Sequence, residues 1–369
     1  MKKIIRSIIR FFLKILYIFP VNEKKVYLMN FKGDKYGLDA KAFAEYLKTT
    51  YPNEYDIFWE ILDLKKAFNV EGVTCIGKHS ILGIYHYMTA GIILTNMTPR
   101  SYIPFRKKQC IINTWHGYPM KKVGKYAIRY NKDVYSVASC FASHSMEYTN
   151  IVLKDSFEYE GQIVNCGVPR NDIFYKNNTT EVINQIKKSL GVTGNVFLYA
   201  PTFRGDYQYE ESQLDVQRLI KTLTNKTGES WTVLFRLHPQ LADKISVNTT
   251  NTVDVSKYPD MQELLLISDA LITDYSSCAW DFAQTGRPVF LFATDLEHYV
   301  DDRGLYYPLS DLPYPLAESN DELMAIIENF DAKKYGDQLT KYFKRVDNYE
   351  TGNACSTLLS FAQKYHEKN

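Results

Sequence analysis

Residues Ser268–Phe290 read SDALITDYSSCAWDFAQTGRPVF, and this stretch decides the fold. Its apolar, β-branched start (Ala270, Leu271, Ile272, Thr273) predicts a short buried strand. Asp274-Tyr275-Ser276-Ser277 follows, a cluster of residues whose side chains accept from the free N–H groups of a helix's first turn. A helical pattern runs through Trp280, Asp281 and Phe282, with Gly286 placed as its C-terminal cap. After Arg287-Pro288, Val289-Phe290-Leu291-Phe292 predicts a second strand. Strand, polar turn, short helix, strand is a βαβ unit, the building block of a parallel sheet. Ligands of such sheets sit beyond the carboxyl ends of the strands, where helix N-termini present unsatisfied N–H groups. Ser276 and Ser277 fall at such a point. They either cap their own helix or, with the neighbouring N–H groups, hold a phosphate anion.

The surrounding chain of 369 residues is long for one hydrophobic core, so two domains are expected. Hydrophobic residues at 45% and charged residues at 23% suit a globular enzyme. A net charge of +2 argues against nucleic acid as a partner. The cysteines (75, 110, 140, 166, 278, 355) form no CxxC pair and no zinc-ligand spacing, which predicts free thiols and a reducing cytoplasm.

Residues 1–20, MKKIIRSIIRFFLKILYIFP, space Lys2, Lys3, Arg6, Arg10 and Lys14 among large apolar side chains. A spanning helix needs about 20 mostly apolar residues, and these cations interrupt this one. No small-residue cleavage site follows. The expectation is an amphipathic helix over 1–22 that lies on an anionic membrane surface, the alternatives being an ordinary N-terminal helix packed on the domain and an uncleaved single-pass anchor. From Lys24 strands and helices alternate, with strands at Val26–Asn30, Tyr55–Ile61, Gly72–Ile76, Gly91–Thr95 and Cys110–Thr114 and helices at Leu38–Thr50 and His79–Ala90. The polar run Lys176–Thr180 reads as a linker. The expected division is 23–175, 176–345 and a C-terminal helix, 346–369, packing back across the domains.

Several strand ends carry chemistry-bearing residues. Trp115-His116-Gly117 follows strand Cys110–Thr114, with Lys121-Lys122 adding positive charge nearby. Gly117 allows a ligand close to the backbone. Thr202 and Arg204 follow Val196–Ala200, and Arg236 with His238 ends Thr232–Leu237. Arg204, Arg236, His238, Ser276 and Ser277 are expected to project from strand ends of one sheet. Asp301-Asp302 follows no clear strand, and a solvated loop is expected there rather than a cation site.

Taken together, Trp115-His116-Gly117 with Lys121-Lys122-Val123-Gly124, Gly167–Asp172 (GVPRND), Tyr199–Arg204 (YAPTFR), Phe235–Pro239 (FRLHP) and Ser268–Pro288 resemble the CDP-glycerol glycerophosphotransferase family. The resemblance runs in order through roughly residues 25–365. It implies a GT-B architecture, two Rossmann-like domains facing across a cleft, with nucleotide mainly in the second. It implies a peripheral enzyme on the cytoplasmic face of the membrane that moves glycerol phosphate, or ribitol phosphate, from a CDP-polyol to an undecaprenyl-diphosphate-linked saccharide, releasing CMP. Self-association as a homo-oligomer is a further option.

Carried over by position, His116 becomes a general base, His238 a residue near the donor diphosphate, and Ser276 and Ser277 phosphate contacts. Thr202, Arg204, Arg236 and Asp274 fall on the donor side, with Asp274 expected to orient His238 or its loop. Gly117, Lys121, Lys122 and Asp39 are assigned to the acceptor side. The family's Asp-Asn-Pro is replaced here by Gly37-Leu38-Asp39-Ala40-Lys41, so acceptor recognition is expected to differ. No metal or cofactor is called for by the residue pattern. The alternatives are a GT-B glycosyltransferase using a nucleotide sugar and a catalytically silent membrane-bound scaffold. The lack of a large extra domain favours a primase or short-chain enzyme over a long-chain polymerase.

Overall fold

The computed structural model describes residues 2–100, 102–127, 135–176, 179–202, 214–237 and 250–369, with the side chains of 2–6 and 302 left aside. The chain forms two compact units. The first comprises Met1–His116, Val123–Ile173 and Asn348–Asn369, and the second Gly117–Lys122 and Phe174–Asp347.

The first unit holds strands β1 (Asn22–Met29), β2 (Asp56–Ile61), β3 (Val73–Gly77), β4 (Ala90–Thr95), β5 (Cys110–Asn113), β6 (Cys140–Ser143) and β7 (Gln162–Asn165). They pair in the order β3-β2-β1-β4-β5-β6-β7, every pair parallel. All of β4 and β5 is buried, because a parallel sheet is covered on both faces and its central strands must be apolar throughout. Helix Leu38–Thr50 covers one face, burying Ala40, Phe43, Ala44 and Leu47, the spacing of one helical stripe. They pack with Val26, Leu28, Trp59, Ile92 and Leu94, and with Leu358, Leu359 and Ala362 of the C-terminal helix Ala354–Lys368. On the other face Tyr27, Met29, Ile93 and Ile111 meet Tyr87 and Met88.

The second unit holds β8 (Asn195–Tyr199), β9 (Trp231–Phe235), β10 (Thr252–Asp254), β11 (Ala270–Thr273), β12 (Val289–Phe292) and β13 (Leu316–Ala317), again all parallel, in the order β10-β9-β8-β11-β12-β13. Strands β11 and β12 bracket the βαβ stretch quoted first. Its helix is shorter than the pattern suggests: Cys278–Ala283, capped at Gln284, with Gly286 (φ 73°) closing the turn two residues later. Arg287 explains the next bend, since its guanidinium donates to the carbonyls of Leu265 (3.1 Å), Leu266 (3.0 Å) and Ser268 at the end of helix Met261–Ile267. Asp301 corrects another expectation. It is exposed on helix Leu296–Arg303, not on a loop, and Gly304 (φ 69°) returns its N–H to the Val300 carbonyl to end that helix. No side chain caps its N-terminus, which removes the usual sequence signal for a helix start.

The Gly167–Asp172 turn acts as a structural hub of the first unit. Gly167 has φ 76°, and a Cβ there would stand 2.2 Å from Glu350 Oε2. Glu350 accepts from Val168 N (3.2 Å) and Asn171 Nδ2 (2.9 Å), and lies 3.2 Å from buried His144 Nδ1. Asp172 accepts from the N–H groups of Ala354 and Cys355, both at 2.9 Å, and so starts the C-terminal helix. Burial pushes its carboxyl above the usual range, against the pull of those two N–H groups. Arg170 donates to Asp39 through its guanidinium (3.0 Å) and its main-chain N–H (3.1 Å), and both residues are buried. Removing one partner of a buried pair strands the other charge. Asp39→Ala is therefore expected to lower unfolding free energy by about 3–5 kcal/mol in a denaturant titration, with the apolar pair Asp39→Leu/Arg170→Met losing less.

Candidate active site

In the first sheet the strand order reverses between β1 and β4, the position at which open α/β sheets leave a crevice. Asn30 follows β1 there and Asn96 follows β4. Their side chains meet, Asn96 Nδ2 donating to Asn30 Oδ1 at 2.7 Å. His116 stands three residues beyond β5, with Nδ1 2.7 Å from the Asn96 main-chain oxygen. A carbonyl oxygen only accepts, so Nδ1 carries the proton of the neutral ring and Nε2 keeps its lone pair.

Aromatic walls hold this imidazole. Trp115 stacks on it with ring centres 4.1 Å apart, and Phe31 lies 5.2 Å away at a tilt. Both take left-handed backbone angles, φ 51° for Trp115 and 46° for Phe31. For bulky residues this costs on the order of 1–3 kcal/mol each and persists only where the surroundings enforce it. The enforcement is visible: Trp115 N–H donates to Asn113 Oδ1 (2.9 Å) and Phe31 N–H to Asn96 Oδ1 (3.3 Å). Burial pushes the His116 pKa below its ordinary 6.5; the Asn96 carbonyl works against this, and the Arg170 charge adds to it. The ring is thus held neutral at neutral pH.

In the second sheet the order reverses between β8 and β11. Thr202 N–H, beyond β8, donates to both carboxylate oxygens of Asp274 at 2.9 Å, and Tyr275 N–H donates to Oδ1. Asp274 is 1% exposed and braces the two loops. Tyr275 stacks on Tyr299 at 3.6 Å and donates to Asp295 (2.9 Å), which holds the turn from the other side. Ser276 Oγ accepts a long bond from Cys278 N–H (3.4 Å), while Ser277 sits at the N-cap position without a side-chain cap bond. Both serines are half-buried.

Gly117–Lys122 packs within this second unit. A Cβ at Gly117 would lie 3.7 Å from Ser277 Oγ, and Tyr118 stacks flat on Trp280 at 3.7 Å and 6°. Lys122 N–H donates to Gly304 O (3.2 Å), and Lys121 Nζ lies 5.8 Å over the Tyr299 ring. The glycine therefore leaves the ground over the Ser277 hydroxyl open.

Of the residues singled out from sequence, Thr202, Asp274, Ser276, Ser277 and Gly117 gather around one turn of the second unit. Arg236 is turned inward, donating to the carbonyls of Val255 (3.2 Å) and Tyr258 (2.9 Å). Burial lowers its pKa. Asp39 likewise points inward, to Arg170. Arg204 and His238 lie outside the described residues. Sequence reasoning passed over Asn30 and Asn96. Their signal was present: YLMN30, ILTN96 and IIN113 each set an asparagine at or directly after an apolar strand end.

The chain is similar to known proteins over nearly its whole length. The family model for CDP-glycerol:poly(glycerophosphate) glycerophosphotransferase matches residues 11–362. A teichoic acid poly(glycerol phosphate) polymerase of Bacillus spizizenii is 27% identical over 363 residues, covering 92% of each chain. A teichoic acid glycerol-phosphate transferase of Staphylococcus aureus is 29% identical over 386 residues, covering 97% of this chain and 98% of the relative. A solved structure of the wall teichoic acid polymerase TagF superposes with a TM-score of 0.84 at 25% identity, covering 100% of this chain and 96% of that one.

A depressed histidine pKa has a checkable consequence. An NMR titration of His116 in the intact protein is expected to place its midpoint below 6.5, with the ring neutral at pH 7. The unfolded chain then binds the proton more readily than the folded one. The histidine's contribution to stability is accordingly full above its unfolded pKa and lost as pH falls below it.

Proposed function

The chain belongs to the CDP-glycerol:poly(glycerophosphate) glycerophosphotransferase family, and on that premise we propose how its residues divide the reaction. The enzyme transfers a polyol phosphate from a CDP-activated donor, glycerol phosphate being the unit named for the relatives above. In our reading the acceptor is a lipid-linked teichoic acid or capsule saccharide, and its hydroxyl attacks the distal phosphorus of the donor. One O–P bond forms, the bridging P–O bond breaks, and CMP leaves. The hydroxyl proton passes to Nε2 of His116. The observation that carries the reading is the His116–Asn96 contact, which leaves a neutral imidazole with its lone pair on Nε2.

The donor diphosphate is assigned to the turn at Ser276 and Ser277. The Ser277 hydroxyl is not spent on capping its helix, and Gly117 keeps the space beside it clear. Asp274 serves as a brace for that turn, and His238 and Arg204 are assigned to the growing charge on the leaving phosphate. The two units are proposed to adopt the GT-B arrangement. A polymerase and a transferase of nearly this length both occur among the relatives, so chain length does not separate one-unit from many-unit transfer.

We assign the membrane contact to the N-terminal helix Lys2–Leu13 and the turn Lys14–Ile18. Phe11, Phe12, Ile15 and Ile18 are 68–74% exposed, and Arg106 fastens the segment through the Phe19 carbonyl at 2.6 Å. Among the described residues no helix is long and apolar enough to cross a membrane. An apolar stripe beside Arg10 and Lys14 suits an anionic bilayer surface.

Two measurements test these assignments. His116→Ala is expected to cut CMP release from CDP-glycerol by about 10²–10⁴-fold, the usual worth of a positioned acid–base group, and His238→Ala by about 10²–10³-fold, that of a donor aimed at developing charge; near-wild-type release removes that residue's role. The wild type is expected to float with vesicles rich in anionic lipid and Phe11→Asp/Phe12→Asp to stay behind; equal flotation contradicts the membrane assignment.

A further inference from the structure

We propose that Asn30 and Asn96 are a positioning pair for His116, locking its ring in the Nδ1–H form so that Nε2 faces the acceptor hydroxyl. The proposal rests on the reading of His116 as the base and adds how its proton is placed.

Each amide of the pair fits in one orientation only. Asn30 Nδ2 donates to the carbonyls of Lys35 and Gly37, both at 3.2 Å, while its Oδ1 accepts from Asn96 Nδ2. Asn96 Oδ1 accepts from Phe31 N–H. Turning either amide over would set oxygen against oxygen at one contact and N–H against N–H at another, so the network is self-consistent in a single sense. Both side chains are at most 5% exposed, where a misplaced polar atom has no water to fall back on.

The same pair fixes the atom that faces the histidine. The Asn96 main chain is tied through its own side chain, and through its N–H to Met29 O (3.4 Å). Its carbonyl is therefore held 2.7 Å from His116 Nδ1. A ring protonated on Nε2 instead would oppose two lone pairs across that distance. The Asn96 side chain also holds Phe31, whose ring lines the imidazole. A peptide carbonyl orients the ring as a carboxylate would but without its charge, so the ring is aligned while remaining neutral near pH 7.

The test is direct. Nitrogen-15 NMR of histidine-labelled full-length protein, with His116 assigned through the His116→Ala variant, reads which ring nitrogen is protonated. Wild type is expected to show Nδ1–H and an unprotonated Nε2. Asn96→Ala and Asn30→Ala are expected to show a mixture of tautomers. Their kcat should fall roughly tenfold or more, part of the about 10²–10⁴ that a positioned base contributes, with the KM for CDP-glycerol unchanged within about twofold. A purely structural role would leave the tautomer as it is. An Nε2–H ring in wild type overturns the proposal, and needs no variant to fold. So does a wild-type tautomer with wild-type kcat in Asn96→Ala. Near-wild-type CMP release by His116→Ala would overturn the base reading instead, a result told apart because the tautomer is read independently of turnover.

Discussion

In each unit a side-chain hydrogen bond spans the point where the strand order of its sheet reverses, and the candidate residues of that unit depend on it. In the first sheet Asn96 reaches Asn30, and in the second Thr202 N–H reaches Asp274. At a reversal the chain leaves neighbouring strands in opposite directions, so the two loops part soon after the last main-chain bonds, Asn96 N–H to Met29 O and Ala200 N–H to Ile272 O. A crevice is unavoidable there, and so are unpaired polar groups at its floor. Here side chains close those gaps from inside. The first closure positions the His116 partner atom, and the second sets the turn that carries Ser276 and Ser277.

Around these closures, residues of similar appearance divide into chemistry and scaffolding. Arg170, Arg236 and Arg287 all follow strand ends or short turns, as a phosphate-binding arginine would. Each is committed inward: Arg170 to Asp39, Arg236 to the Val255 and Tyr258 carbonyls, and Arg287 to the end of helix Met261–Ile267. A guanidinium offers five donors in a rigid fork, which suits gathering stray carbonyls as well as anions. The GVPRND turn makes the same point, since its polar side chains secure the C-terminal helix and helix Leu38–Thr50.

Much of the fold was legible because its signals are local. Helix Leu38–Thr50 announces itself through Ala40, Phe43, Ala44 and Leu47, and β4 through an unbroken apolar run. The α/β class follows from their alternation. Helix Leu296–Arg303 escaped because it lacks a capping side chain and carries paired aspartates. The site was legible only in part. His116 stands out at a strand end beside a glycine, whereas Asn30 and Asn96 look like ordinary turn formers. Their pairing exists only once β1 and β4 are neighbours, 66 positions apart in the chain. The inward turn of Arg236 depends in the same way on Val255 and Tyr258, which sequence alone does not bring near.

The chemistry assigned to this arrangement makes one bond decisive, the bridging P–O bond of the donor. If it breaks, the distal phosphorus travels with the polyol; if the polyol carbon–oxygen bond breaks, both phosphates stay with the nucleotide. CDP-glycerol carrying ³²P at the distal phosphorus, incubated with the enzyme and a lipid-linked acceptor, distinguishes the two in one chromatogram. The account predicts label in the lipid product and unlabelled CMP. Label recovered in released CDP would contradict it.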